Sequence, residues 1–373
     1  MKKILILTVT AGEGHNSIAK AIENELIDRC EVRVVDLFKT FSTKTKARFI
    51  NNGYMWACRN FPNTYNLFFR ILQKRNPNRR ETSLAQSTIK KETPKLDNLV
   101  KEYCPDVIIC THFYPAIILT NLRKKQTISA KVVSILTDYT VHPFHECANG
   151  VDYMITPAKF LHEILIRKGY KEEQLKNIGL PVKTEFSNSL SKDIARAKLG
   201  LSQELFTVLV MFGGGGFGKN VKTFQKLLKA KLPIQIVVVN GRDEKSKNRI
   251  DKILSKHNTI HKVLNLGFTT DISTIMSASD IFIGKCGCIT TNEAMNKNLP
   301  LILSKKQVAQ EYDNYIFLKH NNACITQSNN LARQIEILTN EKDSLSSIRA
   351  SLKAISTPNA TKELADFCLN LED

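Results

Sequence analysis

"KILILTVTAGEGHNSIAKAI", residues 3–22, decides how the rest of the chain is read. Lys3 to Val9 form an almost wholly apolar run, as in a strand buried on both faces. Gly12 and Gly14 allow a positive φ or close backbone approach, and Asn16 or Ser17 offers a helix cap. Ile18, Ala19, Ala21, Ile22 and Leu26 then recur at helical spacing. A strand, a glycine turn and a helix N-terminus place free N–H groups and His15 at the carboxyl edge of a sheet. That edge is where open α/β sheets bind ligands. The glycines are not spaced G-x-G-x-x-G, which argues against an NAD site.

The same unit recurs in the second half. Residues 206–218, FTVLVMFGGGGFG, again run from an apolar strand into glycines and a helix. Gly213, Gly214, Gly215 and Gly216 suit backbone contact with a diphosphate or sugar, but no G-K-[ST] follows, so a P-loop is disfavoured. Around these anchors, apolar runs alternate with helical patterns. In the first half they are EVRVVDL (31–37), PDVIICTH (105–112), AKVVSILTDY (130–139) and VDYMITPA (151–158). In the second they are IQIVVVNG (234–241), HKVLNLGF (261–268), DIFIGKC (280–286) and LPLILS (299–304). Helices are expected near 85–102, 115–124, 159–168, 220–230, 245–256, 271–278 and 290–297. The reading is α/β, with two Rossmann-like doubly wound domains and a ligand cleft. The expected boundaries are 1–180, 181–355 and a C-terminal helix in 356–373 that packs back on the first domain, with 177–190 as a linker.

Charge narrows the choice of partner. The net charge of +19 predicts attraction to polyanions. Between Lys39 and Lys101, fourteen basic residues face only Glu81, Glu92 and Asp97. Tyr54, Trp56, Phe68 and other aromatics lie among them, a mixture suited to a membrane interface rich in anionic lipid. The alternative is a solvated basic face. No RNP, zinc-finger or helix-turn-helix signature accompanies the segment, so nucleic acid is not the expected partner. Nine scattered cysteines contain no C-x-x-C pair and imply neither a zinc ribbon nor a disulfide framework. No apolar run reaches the roughly twenty residues of a membrane span or has the form of a signal peptide. A cytoplasmic protein, peripheral on the inner face of the membrane, is expected.

Residues 265–304, NLGFTTDISTIMSASDIFIGKCGCITTNEAMNKNLPLILS, and the later QVAQEYDN carry a family resemblance. They resemble the donor half of GT-B glycosyltransferases, in particular the monogalactosyldiacylglycerol synthases and processive diacylglycerol glucosyltransferases related to MurG. The first half agrees at Gly12-Glu13-Gly14-His15, Thr137-Asp138, His142-Pro143 and Val151-Asp152, and its Tyr54–Arg70 region is similar to the family's lipid-facing segment. The resemblance implies a GT-B fold and hexose transfer from a UDP-sugar, glucose or galactose, to diacylglycerol with inversion. On the donor side it implies Gly267 and Phe268 at the uracil, the Gly287 turn at the diphosphate, and Glu293 at the ribose. Gln310, Glu311 and Asn314 fall in the sugar and diphosphate region. The chain departs from the family's Lys-Pro-Gly-Gly at Lys285-Cys286-Gly287-Cys288. It departs again from Pro-Gly-Gln-Glu at Val308-Ala309-Gln310-Glu311.

A hydroxyl acceptor needs a base, and His15 is the first candidate. Asp138 either orients His15 or serves as the base itself. His142 and Gly14 are expected to position the acceptor, with Tyr54, Trp56 and Phe68 at the lipid. Other histidines, His257 and His261, read as surface residues. No D-x-D ends a strand, so neither a metal nor another cofactor is expected, and helix amides are left to stabilise departing UDP. Two other functions fit parts of the pattern. One is a MurG-like transfer of GlcNAc to a polyprenyl diphosphate, and the other is a membrane-attached UDP-sugar sensor without catalysis.

Overall fold

The computed structural model describes residues 1–10, 14–41, 64, 67, 69–71, 83–188, 190–213, 218–256, 258–305 and 307–372. Tyr54, Trp56, Phe68, Gly12, Gly214, Gly215, Gly216 and His257 lie outside the described residues. Two compact units divide the chain. The first takes Met1–Thr184, Val308–Gln310 and the segment from Thr357 onward; the second takes Glu185–Gln307 and Glu311–Ser356.

The first unit is built on six strands: β1 (Lys3–Thr8), β2 (Glu31–Asp36), β3 (Val107–Cys110), β4 (Lys131–Ile135), β5 (Tyr153–Ile155) and β6 (Leu175–Lys176). All pair in parallel in the order β2-β1-β3-β4-β5-β6. β1 is buried from Ile4 to Thr8 because helices cover both faces of a parallel sheet. β2 lies at the edge and keeps Glu31 and Arg33 exposed, charges that discourage pairing with another sheet. The helix Gly14–Leu26 buries Ile18, Ala19, Ala21, Ile22 and Leu26, the stripe its spacing predicts. Because this helix begins at Gly14, Asn16 lies within its first turn instead of capping it. The Asn16 side chain instead accepts from Thr8 Oγ1 at 3.0 Å and donates to Thr10 Oγ1 at 3.2 Å, tying the turn to the strand end.

The segment beyond Thr357 completes this unit. Its helix, Ala360–Leu369, buries Leu364, Ala365 and Cys368 and packs against Gly14–Leu26. Lys2 Nζ donates to Leu369 O at 3.1 Å, and Arg29 pairs with Asp366 at 2.5 Å.

The second unit repeats the design with β7 (Thr207–Met211), β8 (Gln235–Val239), β9 (Lys262–Leu266), β10 (Ile281–Gly284), β11 (Leu301–Leu303) and β12 (Ile325–Thr326). The parallel order is β12-β11-β10-β7-β8-β9, the 3-2-1-4-5-6 pattern of a nucleotide-binding fold read from the other end. In each sheet the order reverses beside the founding strand, between β1 and β3 and between β7 and β10. Gly284, the last residue of β10, has no room for a side chain. A Cβ there would stand 2.4 Å from Phe282 Cζ and 2.5 Å from Met211 O.

Several boundaries shift. The run 151–158 is strand only over Tyr153–Ile155, where it can pair with β4, and the helix expected at 220–230 ends at Leu227. The linker 177–190 includes one helical turn, Thr184–Ser187. His261 is a correction: it is buried, because its Nδ1 accepts the β8-side amide of Ile234 at 3.4 Å. Among the described residues no helix is long and apolar enough to cross a membrane.

Candidate active site

In the first unit, chemistry gathers at the carboxyl ends of β1, β3 and β4. Asp36, closing β2, fixes the approach to the turn: its carboxylate accepts from the amide and hydroxyl of Thr10 and from the amides of Phe38 and Lys39. His15 stands in the first helical turn, beyond the end of β1. Its Nδ1 is 2.7 Å from the carbonyl of Thr111, just past β3. A carbonyl can only accept, so Nδ1 carries the proton and Nε2 keeps its lone pair. This bond bridges β1 and β3, where the strand order reverses. Burial lowers the basicity of His15, and the Thr111 carbonyl partly restores it.

Three more imidazoles surround this point. His112 meets His15 edge-on with ring centroids 4.6 Å apart, and its Nδ1 caps the helix Phe113–Lys124 by accepting from Tyr114 N at 3.0 Å. His142 caps the short 3-10 helix Pro143–Ala148 through Phe144 N at 3.3 Å. Its ring stacks on Phe113, with centroids 4.5 Å apart and planes 12° apart. His145, one turn on, sets its edge against Phe113 at 5.7 Å. Desolvation holds both His142 and His145 down at about 3, with the Lys168 ammonium also opposing their protonation. His112 lies well below the ordinary imidazole value because of burial and its histidine neighbours. The cluster is therefore neutral at physiological pH. Among the described residues, no three His, Cys, Asp or Glu side chains are disposed to hold a metal ion.

The structure brings His15 and His142 into this one cluster through His112 and Phe113, with Gly14 opening the His15 helix. Asp138 follows β4 by three residues, partly exposed, on the segment that leads to His142. Thr111, His112 and His145 were missed by sequence reasoning. His112 closed an apolar strand run, and only the adjacency of β1 and β3 brings it to His15.

In the second unit the corresponding reversal lies between β7 and β10. Gly213 leaves β7 with φ +66, a left-handed conformation that suits glycine. Gly218 and Gly287 are the N-caps of the helices Lys219–Leu227 and Cys288–Asn296. Within the second helix Glu293 is buried, at 9% exposure. The helix Gln310–His320 carries Glu311 and Asn314, while Gln310, its first residue, belongs to the first unit. Asn314 is fully buried and donates to Cys286 O at 3.4 Å, while Cys286 N donates to Gln307 Oε1 at 3.2 Å. These two bonds brace the Lys285–Cys288 turn. Gly267 and Phe268 follow β9; Phe268 is 62% exposed, and the Arg242 guanidinium lies 5.2 Å from its ring centre. Arg242, Lys285 and Gln307 were not singled out from sequence. The only available signals were the Asn240-Gly241-Arg242 turn and the first position of the Lys-Cys-Gly-Cys run.

Two parallel six-stranded Rossmann-like sheets, each with a ligand edge at its reversal point, make up a GT-B fold, and the match of the second half to a glycosyltransferase domain makes the chain a GT-B glycosyltransferase. The Monogalactosyldiacylglycerol (MGDG) synthase family matches residues 14–182, and the Glycosyltransferase family 28 C-terminal domain matches residues 207–367. The chain belongs to the diacylglycerol glycosyltransferase family that contains the MGDG synthases and the processive diacylglycerol glucosyltransferases. It is 27% identical to the processive diacylglycerol beta-glucosyltransferase of Bacillus licheniformis, covering 97% of this chain and 93% of that one. To its Bacillus pumilus counterpart it is 26% identical, covering 100% and 96%. The crystal structure of Acinetobacter baumannii MurG superposes over 100% of both chains with a TM-score of 0.66 at 13% identity, a likeness of fold.

Proposed function

We propose that this chain transfers a hexose from a UDP-sugar to the hydroxyl of diacylglycerol, with inversion, at the cytoplasmic face of the membrane. Family membership supports the acceptor class. The observation that carries the chemistry is the His15–Thr111 bond, which leaves a neutral imidazole with its Nε2 lone pair at the sheet's ligand edge. In the reaction, Nε2 takes the acceptor hydroxyl proton as that oxygen bonds to the anomeric carbon. The bond from that carbon to the β-phosphate oxygen breaks, and UDP leaves with the electron pair. The Thr111 carbonyl then stabilises the imidazolium, as a hydrogen-bond acceptor does for any charged donor. Asp138 orients His15 or serves as the base itself, His142 positions the acceptor, and Gly267, Phe268, Glu293, Gln310 and Asn314 serve the donor.

The test is UDP release from UDP-glucose or UDP-galactose with diacylglycerol vesicles, and analysis of the glycolipid formed. Release that depends on diacylglycerol and gives an inverted linkage is expected. Release dependent on a polyprenyl diphosphate, or UDP binding without any release, would replace this reading with one of the other two. Membrane attachment is assigned to the basic aromatic segment. Anionic vesicles should shift the fluorescence of Trp56, the only tryptophan, to the blue. Replacing Arg75, Arg79 and Arg80 by Ser should weaken vesicle binding by about 1 kcal/mol per charge.

A further inference from the structure

Lys285 occupies the reversal point of the second sheet and has no role in the reading above. It follows the last residue of β10, and Gly213 follows β7 by two residues. A Cβ built on either Gly213 or Gly287 would stand 3.8 Å from Lys285 Cε, so the stem of the lysine lies within van der Waals reach of both turns. Its Nζ is 2.5 Å from Glu311 Oε1, and the two side chains are 29% and 24% exposed. Glu311 is therefore engaged by an ammonium. A carboxylate so engaged has less capacity for sugar hydroxyls, and an ammonium so engaged has less attraction for a diphosphate.

We propose that Lys285 and Glu311 form an exchange pair. Lys285 is the cation that receives the nucleoside diphosphate, and Glu311 is the partner from which the diphosphate takes it. Donor binding draws the ammonium onto the diphosphate oxygens and releases Glu311 to accept hydrogen bonds from the hexose. The pair rests on the UDP-sugar reading, and it adds a side-chain charge to the helix amides that suit a diphosphate. The same ammonium then faces the negative charge that accumulates on UDP as it departs.

Calorimetric titration of the full chain with UDP, UMP and uridine tests the pair in wild type, Lys285→Met and Glu311→Gln, each checked by thermal melting. Lys285→Met should weaken UDP binding about ten- to hundredfold and leave uridine binding unchanged. Glu311→Gln should tighten UDP binding about two- to fivefold, because the ammonium is released, while slowing transfer from the UDP-sugar. If Lys285→Met does not fold, Lys285→Gln is measured in its place with the same expectation. An unchanged preference for UDP over uridine in the lysine variant overturns the proposal. So does a Glu311→Gln variant that loses UDP affinity as the lysine variant does, which would mark the pair as a structural tie. A wild-type chain that binds neither UDP nor uridine overturns the donor reading itself.

Discussion

His15 owes its chemical character to a carbonyl nearly a hundred residues away in sequence, since Thr111 O fixes which nitrogen carries the proton. His15→Ala should leave UDP binding intact and slow transfer about 10²–10⁴-fold, the range for a lost general base. Isothermal titration and initial rates check the two halves of that statement separately; near wild-type turnover would pass the role to Asp138. Because burial lowers the basicity of His15 from the ordinary 6.5, the acid limb of kcat/KM should fall below pH 6.5. Glu293→Ala should weaken UDP binding by about 1–3 kcal/mol, as expected for hydrogen bonds lost from a carboxylate. His15 was legible as a candidate because it follows Gly14 just beyond a strand end, whereas Glu293, inside its helix, was singled out only by the family resemblance. His112 and Lys285 were not legible, since their neighbours come from strands that are adjacent only once the sheets have formed.

At the scale of elements, Gly284 shows how tightly β10 closes on β7. Gly284→Ala would drive a methyl into Met211 O and the Phe282 ring, and should cost about 1–3 kcal/mol in denaturant unfolding. Strand order could not be read from the chain, yet ten of the strands could, one in each apolar run; β6 and β12, two residues each, are too short to leave a pattern. Ends were less legible, because pairing length depends on the neighbour. β5 stops at Ile155 with its partner β4, although the apolar run continues. The short 3-10 helix Pro143–Ala148 was invisible as an element, although with its N-cap it brings both His142 and His145 against Phe113.

The whole molecule should be acid-labile, with the weakness residing in its first unit. His142 and His145 are held at about 3 when folded, against 6.5 when solvated. Between those values the unfolded chain binds protons that the folded chain refuses, so stability falls as pH drops through this window. The slope should approach about 1.4 kcal/mol per pH unit for each histidine. Urea melts at pH 7 and pH 5 should show it, and His145→Phe should flatten it. Truncation before Thr357 should likewise destabilise the first unit by exposing the faces that Leu364, Ala365 and Cys368 cover. The position of that closing helix has a consequence for biosynthesis. During translation, the strands and helices up to Thr184 leave the ribosome more than 170 residues before Ala360–Leu369 can dock on them. The nascent first half must wait with an apolar flank open, although all six of its strands are already made by Lys176. The first unit of pulse-labelled chains should therefore reach its full protease resistance only after residues 360–369 have been made.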